Sequence, residues 1–334
     1  MEKRRPHAWQ ERPSGLVAPV QIDPEGTDGP TRNQAARSRW RRTSPGRYVP
    51  ASTDRECVHQ HILEQGHRIR SHGAVTGWAG LRFRGARYFD GLDGSPHGDL
   101  APVPLVIAGA MLRPDPRVLI SRAQLAADER ELIEGIWVAT AERALFDEVR
   151  RHMSLRRAVA DIEVAVAAGL ISFTEFADYV ARRNPWTGIG LARDAVALAG
   201  LGCWSRPEAG MALIWMLDAE IGRPLCNVPI FDRRDRLVAI VDLFDAEAGC
   251  VGEYQGADHK DGERHREDVA REQALRDVGL ECFEVVGGDL ADRDLVEKRM
   301  HAARGRSLFR SPADRLWTLD QPDWWPAWAA ARGL

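Results

Sequence analysis

The chain has 334 residues with 44% apolar and 28% charged content, enough to pack two or three cores and ordinary for a soluble globular protein. A formal net charge of −3 leaves no global basic field, so nucleic-acid binding has to come from local patches. The five cysteines are odd in number, scattered and without a Cys-x-x-Cys pair, which argues against a disulfide framework or a zinc ribbon and for a reducing cytoplasm.

The opening Met1-Glu2-Lys3-Arg4-Arg5-Pro6 is basic, but no apolar core follows it as in a signal peptide. No apolar run approaches the roughly 20 residues of a membrane span, so a cytoplasmic protein without membrane partners is expected. Residues 1–30 are rich in Pro, Gly and Asp and are predicted to be a disordered tail. Residues 31–53 form a basic segment without an acidic residue, predicted as a short helix over Asn33–Trp40, a turn at Ser44-Pro45-Gly46 and a strand at Arg47–Val49. Two readings stand for its arginines: Arg39, Arg41, Arg42 and Arg47 contact DNA phosphates, or the segment is a solvated linker.

Residues 54–200 read as mostly helical. Asp54 is placed as the cap of a helix through Ile62 and Leu63 that Gly66 ends. His59 and His61 are two residues apart on that helix, point to different faces and read as surface histidines. A small-residue helix is expected over Ser71–Leu81, short strands at Val103–Ile107, Val118–Ile120 and Gly135–Val138, and helices over Leu155–Ala168 and Ser172–Tyr179. Thr140 caps a helix over Ala141–Asp147, and Thr140, Arg143 and Asp147 can form a local network. The block has no catalytic spacing and its charges read as solvated faces, so it is expected to be a scaffold with a possible protein partner.

Residues 205–300 carry the acidic pattern. Ser205-Arg206-Pro207-Glu208 starts a helix, with Ser205 as cap and Glu208 free to close a capping box. Strands are predicted at Leu225–Ile230, Leu237–Phe244 and Cys250–Gln255, with Val238, Ile240, Asp242 and Phe244 on one face. A turn centred between Glu247 and Ala248 sets Asp242 opposite Glu253 and Phe244 opposite Val251. Directly opposed residues hold their Cβ atoms about 4.5–5.5 Å apart. Two carboxylates that close, in strands otherwise apolar, repel each other unless a cation joins them. Asp242 and Glu253 are therefore the candidate ligands of Mg²⁺ or Mn²⁺, with Glu208 as an accessory carboxylate.

After the third strand, Gly256 lets the chain turn. His259 is then a general acid or base, or simply a loop histidine. Lys260, Arg264 and Arg271 are candidate phosphate contacts, although Asp268 and Arg271, three apart on a predicted helix over Glu263–Val278, also suit an intrahelical ion pair. Glu281–Val286 is expected as a central strand. Residues 301–334 form a Trp-rich tail whose Trp317, Trp324, Trp325 and Trp328 are expected to dock onto their own core rather than stack bases.

Asp242…Glu253-Tyr254-Gln255 resembles the acidic motif of the PD-(D/E)XK nuclease superfamily, with Gln255 at the lysine position. The set Glu208, Asn227, Asp242, Glu253, Gln255, Gly256, His259, Asp268, Arg271 and Leu275 is similar to the subfamily related to very-short-patch mismatch-repair endonucleases. That resemblance implies a restriction-endonuclease-like mixed sheet flanked by helices, within an overall α+β or α/β chain. It further implies a Mg²⁺-dependent hydrolase cutting DNA in repair or phage defence, with Asp242, Glu253, Gln255 and His259 catalytic. The alternative is a non-catalytic DNA-binding regulator or antitoxin-like protein with a degenerate nuclease fold. Arg39–Pro50, Ser71–Leu81 and Val138–Asp147 resemble the antitoxin domains of type IV, abortive-infection toxin–antitoxin systems, which begin with a winged helix. This implies an antitoxin-like domain over 54–200 preceded by a partial winged helix over 31–53.

Overall fold

Gly, Pro and Asx punctuate the chain into short elements. A computed structural model describes residues 14–69, 72–92, 98–109, 111–256 and 262–334, with 262–268 described by backbone alone. In order these are α1 (Arg32–Ala35), β1 (Trp40–Ser44), β2 (Arg47–Pro50), α2 (Val58–Gly66), β3 (Ala74–Val75), α3 (Gly77–Phe83), β4 (Val103–Val106) and β5 (Val118–Ser121). There follow β6 (Arg130–Ile133), β7 (Ile136–Ala139), α4 (Ala141–Val149), α5 (Leu155–Ala167), α6 (Phe173–Ala181), α7 (Ile189–Leu198) and α8 (Arg206–Leu217). The last third holds β8 (Val228–Asp232), β9 (Leu237–Val241), β10 (Leu243–Asp245), β11 (Cys250–Gln255), α9 (Gly262–Asp277), β12 (Glu281–Val286), α10 (Arg293–Arg306), β13 (Trp317–Thr318) and α11 (Trp325–Ala330). The chain is a mixed α/β protein, and among the described residues no helix is long and apolar enough to cross a membrane.

The described residues divide into two compact units, one of 14–153 with 168–192, the other of 154–167 with 193–334. In the first, the basic segment is a hairpin: β1 pairs antiparallel with β2 around Gly46, which takes a left-handed φ of 74°. The helix expected to reach Trp40 stops at Ala35, because Trp40 and the residues after it are taken into the ladder.

The block expected to be mostly helical holds α2 to α7 and, as β4, β5 and β7, the three expected strands, while β3 and β6 were not expected. A five-stranded mixed sheet in the order β5-β4-β3-β7-β6 runs through it, with Val75, Val103, Leu105 and Val138 packed against Ile62, Leu63, Ala79 and Phe83. Its central strand is only Ala74–Val75, at the start of the run expected to be a helix; Gly73 before it lies so close to β4 that a Cβ would meet the Val106 carbonyl at 2.4 Å. The α2 helix begins at Val58 with Cys57 at its cap position, while Asp54 instead accepts from the Glu56 N–H at 2.9 Å. His59 is buried, not a surface residue.

One group of the middle charges is buried rather than solvated. Arg143 has a side chain with 0% exposure, and its Nε donates to Asp147 at 2.9 Å and its Nη1 to Glu129 at 2.8 Å. Thr76 Oγ1 donates to Asp147 at 2.8 Å, and Tyr179 and Arg183 both donate to the other oxygen of Glu129. Burial and the Glu129 carboxylate together push the Tyr179 hydroxyl well above the usual phenol range. The expected Thr140 cap is present, its Oγ1 accepting from the Arg143 N–H.

In the second unit, α8 is buried nearly all round. Met211, Ala212, Ile214 and Trp215 pack with Val296, Met300 and Ala303 of α10, and Trp215 stacks on Phe283 at 6.0 Å. Ahead of α8, the chain is gripped by Glu163 of α5. Its carboxylate accepts from four successive backbone N–H groups, Gly200 at 2.6 Å, Leu201 at 3.0 Å, and Gly202 and Cys203 at 2.9 Å each. The strands form two ladders, β13-β8-β9 and β10-β11-β12, the last pair parallel. Trp325 packs on Phe231 at 5.2 Å and Trp317 on Phe244 at 5.0 Å, so these two rings of the tail dock onto their own core.

Candidate functional site

The β10–β11 ladder is built on the expected register, with Leu243 opposite Gly252, Phe244 opposite Val251 and Asp245 opposite Cys250. The ladder ends at Leu243 and Gly252; continued by one residue, the register would set Asp242 against Glu253. Asp242 is not itself a strand residue: β9 ends at Val241 and β10 starts at Leu243, so the chain steps there from one ladder to the other. The step shifts the side-chain alternation. Val241 and Phe244 pack in one cluster while Ile240 packs in another, which corrects the expectation that Ile240, Asp242 and Phe244 share a face. Gly252 is required inside β11, because a Cβ there would meet the Phe283 ring at 2.5 Å.

Asp242 is 3% exposed, and its Oδ2 accepts from the Tyr254 N–H at 2.8 Å. The carboxylate thus takes the place of a backbone acceptor where the strand breaks. Glu253 has 15% of its side chain exposed and accepts from Arg271 of α9 at 3.0 Å. The same guanidinium donates to the Ile240 carbonyl. Arg271 is therefore anchored on Glu253; the side chain of Asp268, its other expected partner, lies outside the described residues.

The parallel β11–β12 ladder sets Glu253 directly opposite Glu284, and Gln255 Nε2 donates to Glu284 at 2.9 Å. Glu253, Gln255 and Glu284 alternate on one face of these strands. Glu284 was not singled out from the sequence, and β12 lies at the end of its described ladder rather than at its centre. The acidic residue in the strand run Cys282-Phe283-Glu284-Val285 is the signal that was there to read.

Glu208 keeps its capping role and adds a second. Ser205 Oγ accepts from the Glu208 N–H at 3.3 Å, and the Glu208 carboxylate accepts from Ser205 Oγ at 3.0 Å and from the Trp204 N–H at 2.8 Å. It also accepts from Asn227 Nδ2 at 2.7 Å, and the Asn227 N–H donates to the Asp242 carbonyl at 3.4 Å. Asn227 holds a left-handed φ of 51°, which an asparagine tolerates better than most residues, and so joins Glu208 to the backbone beside Asp242. The carboxylate oxygens of Glu208, Asp242 and Glu253 do not gather within 4.8 Å of one another.

His259 and Lys260 lie outside the described residues, as does the side chain of Arg264. In the hairpin of the other unit, Arg39 and Arg42 are exposed. Arg41 turns inward to a two-pronged pair with Glu64 at 2.7 and 2.8 Å, and Arg47 donates to the Pro19 carbonyl at 3.4 Å.

The donors around Asp242 and Glu253 are oxygens, with Gln255 adding an amide, and this chemistry suits a hard divalent cation. The Arg271 charge on Glu253 stands where a cation would be attracted. Comparison with protein-family models, curated proteins and solved structures returns no match, so the family resemblances rest on the residues themselves.

Proposed function

We propose that the chain is a divalent-metal-dependent DNA endonuclease centred on Asp242 and Glu253. One observation carries the reading: Asp242 is buried beside β11, accepting from the Tyr254 N–H next to Glu253, where the register of Leu243 on Gly252 points and where Leu243, Phe244 and Val251 lie in the core. The order of α8, β8, β9 with β10, β11, α9 and the parallel β12 supports the restriction-endonuclease-like layout that the motif implies.

Asp242 and Glu253 would hold Mg²⁺ or Mn²⁺, with Glu208 supporting the strand start through Asn227. The bound ion supplies an activated water and neutralises charge on the scissile phosphate. Tyr254 N–H fixes one oxygen of Asp242, which aims the other. Glu284 fixes the Gln255 amide, a group suited to orient a water but not to accept its proton. His259 is the residue the motif implies for proton transfer, while Lys260, Arg264 and Arg271 are the cations it offers to phosphate. Of the basic hairpin, the exposed Arg39 and Arg42 are suited to backbone contacts with DNA, while Arg41 and Arg47 are held by Glu64 and the Pro19 carbonyl.

A second reading, a non-catalytic DNA-binding or antitoxin-like protein, is favoured by the partners already on the acids: Tyr254 N–H on Asp242, Arg271 on Glu253 and Asn227 on Glu208. Calorimetric titration with Mn²⁺ and a DNA mobility shift separate the two. The nuclease reading expects Mn²⁺ binding that Asp242→Asn and Glu253→Ala each weaken by at least about tenfold. DNA retention with no Mn²⁺ binding would favour the second reading.

A further inference from the structure

Beside the basic hairpin the first unit holds a cavity of about 340 Å³. Arg41 and Arg42 of β1, Arg55 ahead of α2, and Arg117 ahead of β5 bring four guanidiniums to its lining. Against them stand two lining carboxylates, Asp54 and Glu64. Cations therefore lead by two, and by one when Asp115, which pairs with Arg117 at 2.9 Å, is counted as well. The volume falls in the range of small-ligand sites, roughly 300–1,000 Å³.

The lining also holds polar groups that the fold leaves unsatisfied. Gln65 is 0% exposed, and its Oε1 accepts from Arg68 at 3.2 Å while its buried Nε2 has no hydrogen-bond partner. Arg41 gives both terminal nitrogens to Glu64 and keeps a buried Nε without a partner. Buried N–H donors without acceptors are uncommon in folded proteins. Their concentration around one arginine-lined cavity calls for an acceptor-rich anion.

We propose that this cavity binds a phosphomonoester, the phosphate accepting from the Gln65 amide and the guanidiniums. Arginine's planar fork matches a phosphate oxygen pair, and a terminal dianion offers a cluster of guanidiniums more free oxygens than a diester in the middle of a strand. The phosphate can belong to a free mononucleotide or to the 5′ end of a nucleic acid; the shared chemistry is the terminal phosphate. The site uses none of the carboxylates assigned above to metal; it shares Arg41 and Arg42 with the basic hairpin, and the comparison of phosphorylated with unphosphorylated probes separates it from contacts to DNA backbone.

The test is calorimetry and thermal melting of the full chain with inorganic phosphate, a nucleoside 5′-monophosphate, the unphosphorylated nucleoside, and one oligonucleotide with and without a 5′-phosphate. The control is Arg42→Ala/Arg55→Ala, a pair at the cavity mouth that is not part of a core. Each phosphorylated probe is expected to bind more tightly than its unphosphorylated counterpart, a difference reduced by at least about tenfold in the double variant. Preference for the phosphorylated oligonucleotide over the mononucleotide places the source at nucleic-acid ends and keeps the site. Equal binding of nucleoside and monophosphate, no binding of any phosphorylated probe, or full retention in the double variant overturns it.

Discussion

Replacing Glu163 by glutamine tests the grip that sets the start of α8, and with it Glu208. Four backbone N–H groups converge on the carboxylate, from Gly200, Leu201, Gly202 and Cys203 at 2.6–3.0 Å. A glutamine keeps one acceptor oxygen for one pair of these and turns an amide donor toward the other pair. Two charge-assisted bonds are lost, worth about 1.5–3 kcal/mol each, so the second unit should lose about 3–6 kcal/mol of stability. That is large beside the usual total of about 5–15 kcal/mol. Urea unfolding followed by circular dichroism reads it as a lower midpoint at unchanged slope. A Glu163→Gln midpoint corresponding to less than about 1 kcal/mol would refute the reasoning, because the four N–H groups would then be finding equivalent acceptors.

Arg271→Ala removes a positive charge from Glu253 and should tighten Mn²⁺ binding by about tenfold, read by calorimetry; weaker binding would mean that the guanidinium positions the carboxylate for the ion. Burial opposes ionisation of Glu129, but Tyr179, the Ala126 N–H, Arg143 and Arg183 outweigh it and hold the carboxyl below its ordinary 4.5. Because the folded value is the lower one, this stabilisation is complete above the unfolded value and is lost as pH falls through the folded one. Glu129→Gln should therefore flatten the decline of stability below about pH 4.5, measured by unfolding at stepped pH; an identical acid profile would contradict the network's role. Burial pushes the Cys250 and Cys282 thiols up to about 12, and Cys203 and Cys226 are buried as well. A disulfide reagent should titrate Cys57 in the native protein and the other four only after denaturation, with rapid native labelling of all five as the contrary result.

The register of β10 on β11 was legible because the Glu247–Ala248 turn is short and the flanking residues are apolar, which pins the pairing. The Thr140, Arg143 and Asp147 network was legible from helical spacing, but its partners Glu129, Thr76 and Tyr179 were not, since they come from distant parts of the chain. β3 escaped because a two-residue strand carries no period to read. Glu284 escaped for another reason: its place beside Glu253 exists only in the parallel ladder, which α9 separates in sequence. His59 was misread because helical spacing tells which faces differ, not which of them the sheet covers. The step at Asp242 replaces a regular strand position with a side chain bonded to Tyr254 N–H, and no local pattern signals that exchange.

A metal held by Asp242 and Glu253, as proposed, has to cut phosphodiesters. The most direct measurement is incubation of supercoiled plasmid with purified protein in Mg²⁺ or Mn²⁺, with EDTA and with the Asp242→Asn and Glu253→Ala variants run alongside. Nicking or cutting in metal, stopped by EDTA and lowered by at least about a hundredfold in each variant, is expected. Cleavage that persists undiminished in both variants, or a wild-type protein that leaves plasmid, single strands and mismatched duplexes intact, would contradict it.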